Sequence, residues 1–470
     1  MAFALLNRND QKLFKMNLLT KLTLLFLFSL TISAVYGATT PPDTTTRFID
    51  KTASVYFLEE GKVLYEEGKI KAALVKFREA GLKDPDSWKA AYWIGQCHYY
   101  LNNYGYALKY AHKSMELGGD KVSDEIYYRI ATANHRLGNL DSAIVNYQKT
   151  LAIVTKLRAK VLNVEQCIKE CEFAKAAMEG EAKYTRTQLQ GDINSGYDDY
   201  SIIPLSDGKT AYFTSRRSNT TGGGMNPDDQ TFFEDVYMAK WNSTTNQWGA
   251  ITNNLGKLNS NGFDALNYVS PDTLYGVMTL NSTETESKKT TKGSDICEIK
   301  RNTKGTWNTP SIIKNKTINT TYFEGAATLT ADGNTMYFVT DRKGEKSSTD
   351  IYVVEKNGKS WGTAKPLPMT INTVGRETTP FISPDGRYLF FSSDGHLGMG
   401  GLDIYVVENK GGEWGTPINL GNGINTVNND THFIYSEALK KAYVSGFELI
   451  GDKASIDIYE IDMTNFVMPK

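Results

Sequence analysis

Ser383-Pro384-Asp385-Gly386 opens a stretch that runs through the aromatic segment Tyr388-Leu389-Phe390-Phe391-Ser392 and the loop Gly398-Met399-Gly400-Gly401 to Asp403-Ile404-Tyr405. The same succession recurs along the second half of the chain. Its turn reappears as Leu205-Ser206-Asp207-Gly208, Ser270-Pro271-Asp272 and Thr330-Ala331-Asp332-Gly333, with a degenerate copy at Tyr435-Ser436-Glu437. Its end reappears as Asp235-Val236-Tyr237, Asp295-Ile296-Cys297, Asp350-Ile351-Tyr352 and Asp457-Ile458-Tyr459. A period of roughly 50–65 residues with several short strands per unit is the pattern of a β-propeller.

The ends of the repeat set the blade number. Four units continue into a Trp segment, at Trp248, Trp307, Trp361 and Trp414, and close on Leu258-Asn259-Ser260, Ile318-Asn319-Thr320, Ile371-Asn372-Thr373 and Ile424-Asn425-Thr426. The fifth unit stops near Ile461 without either feature. An orphan triplet, Ile193-Asn194-Ser195, lies ahead of the first unit, behind the strand-like run Tyr184 to Leu189. This early strand is expected to complete the last blade, which removes free sheet edges. Five blades follow, with six as the alternative.

Between Ala53 and about Gly180 the hydrophobic period becomes helical. Repeats of about 34 residues fit the tetratricopeptide (TPR) pattern. In the first, Gly61, Gly68, Ala73, Phe77, Ala80 and Pro85 are in register; Gly95 and Ala107 mark a second, and Ala131, Gly138, Ala143 and Tyr147 a third. A helix from Thr155 to Met178 is expected to cap the stack, because its exposed end needs a cover. The expected fold class is α + β multidomain: an α-helical TPR solenoid over 53–180, then an all-β five-bladed propeller over 184–464.

Residues 1–37 read as an export signal. Basic Arg8, Lys12, Lys15 and Lys21 precede the apolar run Leu22–Ile32, and Val35-Tyr36-Gly37 offers a cleavage site. Met16 is an alternative start. No later stretch is long and apolar enough to cross a bilayer, so a protein that does not span the membrane is expected after signal cleavage. A formal net charge of −1 gives no basis for a nucleic-acid partner. With four Cys and 5 His, neither a disulfide framework nor a zinc site is expected.

Candidate binding residues follow from register. The first helix of each TPR pair should present Leu58, Tyr65, Tyr92, Gln96, Tyr99, Tyr128 and His135 to a partner in a concave groove; helix packing is the competing explanation for the tyrosines. Asp199, Asp264, Glu324, Glu377 and Asp430 recur ahead of the turn motif and could form an acidic ring at the channel mouth. The competing explanation is that each bonds the amides of its own turn. The second acidic series, Asp235 to Asp457, should hold the loop that leads into the third strand. Gly358-Lys359-Ser360-Trp361-Gly362 matches the serine-hydrolase elbow literally, yet it coincides with the repeated Trp segment. No catalytic residue, metal or cofactor is expected, and the chain reads as non-enzymatic.

The repeats resemble the WD40-like PD40 propeller family, on the strength of Ser383-Pro384-Asp385-Gly386 and the run Ser393 to Tyr405. TPR repeats followed by such a propeller resemble the front part of the PorE-type, OmpA-family component of the type IX secretion system of Bacteroidetes. The resemblance implies a scaffold of the cell envelope, in the periplasm or peripheral to the outer membrane, whose partners are envelope or secretion-machine proteins. The sequence stops after the propeller, without an OmpA-like domain, so cell-wall anchoring is not carried over. Two other readings remain open: a secreted or periplasmic propeller hydrolase or lyase, and a glycan or ligand sensor with Trp241 and Tyr268 as aromatic platforms.

Overall fold

The computed structural model describes residues 42–468 apart from 228, 282–292, 343–347, 448–454 and 467. The export signal at 1–37 lies outside the described residues. The chain divides into two compact units, Met1–Leu101 with Lys109–Ser123, and Asn102–Leu108 with Asp124–Lys470.

Eight α-helices come first among the described residues: α1 (Pro42–Glu66), α2 (Ile70–Lys83), α3 (Trp88–Tyr100), α4 (Tyr104–Gly118), α5 (Ile126–Arg136), α6 (Leu140–Ile153), α7 (Lys156–Val161) and α8 (Val164–Glu179). They pair as TPR-type helical hairpins. In the first pair the Phe77 ring lies so close to Gly61 that a Cβ there would meet it at 2.6 Å. The small residue is what lets α1 and α2 approach. The expected capping helix is broken in two, because Asn163 takes a left-handed conformation (φ 54°) between α7 and α8. Asn tolerates that region better than most residues.

The remainder is a five-bladed propeller. Blade one holds β2 (Asp199–Pro204), β3 (Thr210–Ser215), β4 (Asp235–Asn242) and β5 (Gln247–Thr252). Blade two holds β6 (Phe263–Val269), β7 (Tyr275–Asn281), β8 (Asp295–Lys300) and β9 (Ser311–Ile312). Blade three is β10 (Glu324–Leu329), β11 (Thr335–Thr340) and β12 (Asp350–Asn357), edged by β13 (Ser360–Trp361) and β14 (Lys365–Pro366). Blade four is β15 (Glu377–Ile382), β16 (Tyr388–Ser393) and β17 (Asp403–Lys410), edged by β18 (Glu413–Trp414) and β19 (Ile418–Asn419). Blade five takes β20 (Thr431–Ser436), β21 (Lys441–Gly446) and β22 (Asp457–Asp462), and adds β1 (Arg186–Gln188) as its outer strand. The pairing is antiparallel, with Arg186 opposite Ile461 and Gln188 opposite Tyr459. The ring is therefore closed by the strand that precedes the first blade, as the orphan triplet implied.

Two devices join the blades. Each Trp packs against the second strand of the blade before it: Trp307 lies edge-on to Tyr212 at 6.2 Å, and Trp414 edge-on to Tyr337 at 6.0 Å. Trp248 shares a core with Tyr443, and Trp361 borders the core that contains Val277. The closing triplets form the second device. The triplet Asn brackets the aliphatic residue of the Asp-aliphatic-Tyr strand by accepting from its N–H and donating to its carbonyl. Asn372 does so with Ile351 at 2.9 and 3.0 Å. Asn194 does the same to Ile458 of blade five, at 2.8 and 3.0 Å.

The turn motif has an equally local cause. Its fourth position is left-handed in blades one to four, where Gly208, Thr273, Gly333 and Gly386 have φ of 62°, 60°, 67° and 72°; the degenerate turn of blade five is left-handed one position later, at Lys440 with φ 49°. Gly adopts that conformation without steric cost, which is why three of the five copies carry it. The Asp three residues before the strand caps the turn, as Asp385 does by accepting from Arg387 N at 3.1 Å.

Candidate functional site

The five carboxylates expected to line a channel mouth are each fully buried: Asp199, Asp264, Glu324, Glu377 and Asp430. They form no open ring, which corrects that expectation. Each accepts from the Ser or Thr four residues earlier. Ser195 donates to Asp199 from both N and Oγ at 2.6 Å, and Thr373 donates to Glu377 from N at 2.8 Å and Oγ1 at 2.7 Å. Ser260, Thr320 and Thr426 repeat the bond with Asp264, Glu324 and Asp430. The turn-bonding explanation fits: a buried anion needs hydrogen-bond donors, and the triplet supplies them.

A cation hook that sequence reasoning missed completes the joint. Arg217 bonds Asp199 at 3.1 Å and the Ile193 carbonyl at 2.7 Å. Arg342 reaches Glu324 at 3.4 Å and the Ile318 carbonyl at 2.9 Å. In blade four His396 donates from Nε2 to the Ile371 carbonyl at 2.9 Å. In blade five the hook comes from the closing strand: Arg186 pairs with Asp430 and lies over the Tyr459 ring at 4.1 Å. Alignment of Ser215-Arg216-Arg217 with Thr340-Asp341-Arg342 carries the signal for two of these residues. Asp264 has no ion-pair partner among the described residues, and one of its oxygens is unbonded there. Burial pushes its carboxyl up to about 7, against the pull of the Ser260 donors.

Two members of the second acidic series hold loops. Asp235 accepts from Thr220 Oγ1 at 3.0 Å and Thr221 N at 2.7 Å, and Asp403 from Met399 N at 2.6 Å. The loop Gly398–Gly401 is not loose. Met399 is fully buried within the core of α5, α6 and α8, together with Val427.

That contact redraws the expected groove. His135 is 3% exposed, donates from Nε2 to the Met399 carbonyl at 2.9 Å, and stands edge-on to Tyr147. It is a joint with the propeller and not part of an open groove. Its neighbour Arg136 donates to the Val427 carbonyl at 2.7 Å. Burial pushes the nearby Glu170 carboxyl up to about 7, opposed by the Arg136 charge. Leu58 and Gln96 are also buried, Leu58 in the core of the first two pairs. Tyr65 is half-buried, edge-on to Trp93 at 5.1 Å and Tyr100 at 5.6 Å. Tyr92 and Tyr99 are half-buried in the same unit; Tyr128 is half-buried in the other, tilted on Tyr147 at 5.9 Å. The seven candidate residues are thus divided between two compact units, and register did not reveal which of them are enclosed.

The channel is narrow. A cavity of about 40 Å³ is lined by the bulges of the first strands: Ser201, Asn267, Ala326, Thr379 and His432. Four of these are left-handed, with φ of 56°, 49°, 43° and 53° at Ser201, Ala326, Thr379 and His432. The His432 ring lies against Tyr200 at 5.3 Å, and burial lowers its pKa to about 4, so it is neutral at pH 7. Ser360 of the hydrolase-like pentapeptide sits exposed in a β12–β13 hairpin, paired opposite Asn357. A nucleophile elbow would instead need a strand-to-helix turn. Among the described residues there is no group of three or more potential metal ligands, and no helix is long and apolar enough to cross a membrane.

These features define a helical-repeat protein fused to a five-bladed propeller. No family model matches the chain, and no curated protein matches it. Among solved structures, a TPR protein with an unusual peptide-binding site, YrrB, is similar over 29% of this chain and 68% of its own, at 16% identity and TM-score 0.24. The endo-arabinase of Bacteroides thetaiotaomicron is similar over 59% of this chain and 96% of its own, at 14% identity and TM-score 0.35. A glycoside hydrolase is similar over 67% and 99%, at 12% identity and TM-score 0.39. The propeller neighbours correct one expectation. They are chiefly glycoside hydrolases, so the ring fold gives no ground for reading this chain as non-enzymatic.

Proposed function

We propose that the chain is an exported binding protein of the cell envelope. It acts in the periplasm, peripheral to the outer membrane, and holds envelope or secretion-machine proteins, with type IX secretion as the machinery its domain order resembles. The observation that carries this reading is the joint at His135 and Arg136. The last helical pair and the propeller share one core through Met399 and Val427. A joint that buries a His and an Arg against loop carbonyls suits a body that presents surfaces in a fixed relation. The reading leaves the propeller free to carry an activity of its own.

Crosslinking in intact cells, followed by purification from the envelope fraction, tests it. Specific recovery of outer-membrane or secretion proteins, lost when His135→Ala and Arg136→Ala loosen the joint, is the expected result. A chain retained in the cytoplasm, or envelope recovery of the chain alone, contradicts the reading.

A further inference from the structure

A cleft between blades one and two has a volume of about 410 Å³, within the range of about 300–1,000 Å³ usual for small-molecule sites. Its walls include Leu205, Met238, Lys240, Asn254, Arg301 and Thr306. Arg301 makes this cleft unlike its sisters. The residue opposite the blade Trp is Trp241 in blade one, Lys356 in blade three and Asn409 in blade four, whereas blade two places Arg301 opposite Trp307.

The guanidinium lies over the Trp307 ring at 4.7 Å and donates from one terminal nitrogen to the Tyr212 hydroxyl. Its Nε is buried without an acceptor, as is the indole Nε1 of Trp307. The Trp248 indole is also unpaired, so the weight falls on the guanidinium. A buried charged donor left unmet costs about 1–3 kcal/mol or more. Lys240 stands exposed on the cleft wall, and its ammonium donates to Thr210 Oγ1 at 2.7 Å. Asp207, the carboxylate on the same wall, already accepts from Lys209 N, Thr210 N and Thr210 Oγ1 at 2.7 to 2.8 Å. Neither cation makes an ion pair among the described residues. From this geometry we infer that the cleft binds a small carboxylate-bearing ligand, either a uronate sugar or the free C-terminus of a short peptide. Its carboxylate pairs with the Arg301 fork, and Lys240 adds a second charge from the rim.

Titration of the full chain by calorimetry tests this with four probes: glucuronate, glucose, an acetylated dipeptide acid and its amide. One of the acids is expected to bind, and its neutral counterpart about tenfold more weakly or less. Which acid binds tells the two sources apart. Arg301→Met and Lys240→Met should each weaken the acid by about tenfold, with Tm unchanged in Lys240→Met, whose side chain lies outside the packed core. Equal affinity for acid and neutral probes, no binding of either acid, or full affinity in Lys240→Met each overturns the inference.

Discussion

Blades one to four and blade five are built from the same parts with different connectivity. In blades one to four the outer strand, the Trp and the closing triplet follow their own third strand in sequence. In blade five the outer strand β1, the clamp Asn194 and the cation Arg186 all come from the segment ahead of blade one. The bonds nevertheless match: Asn194 grips Ile458 as Asn372 grips Ile351, and Arg186 answers Asp430 as Arg342 answers Glu324. The lesson is that the Asn clamp of the blade joint is a fixed pair of hydrogen bonds, indifferent to which stretch of chain supplies it.

The harshest way to break that equivalence is Arg186→Met. It leaves the fully buried Asp430 without its cation, and removal of one partner of a buried pair costs about 3–5 kcal/mol. Urea unfolding should show a loss of that size, with Asp430→Asn restoring part of it. A milder cut is Asn194→Ala, which strands the N–H of Ile458 and should cost about 1–3 kcal/mol. Asn372→Ala, its counterpart in a continuous blade, should cost the same within error. A far smaller loss at Asn194 would mean that the borrowed joint is looser than the others.

The joint of Asp264 sharpens the comparison through pH. Burial raises its carboxyl from the ordinary value of 3.8 to about 7. The folded state therefore holds the proton more tightly than the unfolded chain. The resulting stabilisation is complete below about 4 and is lost as pH rises through about 7. Asp264→Asn should thus be more stable than the parent at pH 8, and the gap should narrow as pH falls. Thermal unfolding of both proteins at a series of pH values checks this. The smallest effect is expected at Thr273, where blade two keeps a β-branched residue at φ 60° in place of Gly. Thr273→Gly should stabilise by about 0.5–1 kcal/mol.

Much of this was legible in the chain. The repeat, the orphan triplet Ile193-Asn194-Ser195 and the missing fifth outer strand together gave five blades and their closure, because each is a local pattern with a fixed period. The acidic positions were legible as a series, but register does not report burial, and all five proved enclosed by their own triplets. The hooks escaped because they come from unlike offsets: Arg217 and Arg342 follow a second strand, an imidazole, His396, stands in for the guanidinium, and Arg186 lies on β1. The grip of His135 on Met399 joins residues 264 positions apart, a pairing that no local helical pattern can signal.

Amide hydrogen exchange across β1 tests the ring closure most directly. If β1 is a full member of blade five, the Thr187 amide, which the register turns toward β22, and the Leu189 amide, bonded to the Ile458 carbonyl at 3.0 Å, should exchange as slowly as those of β22 and only through global unfolding. Exchange at the rate of an open coil, with β22 still protected, would contradict a ring closed by that strand.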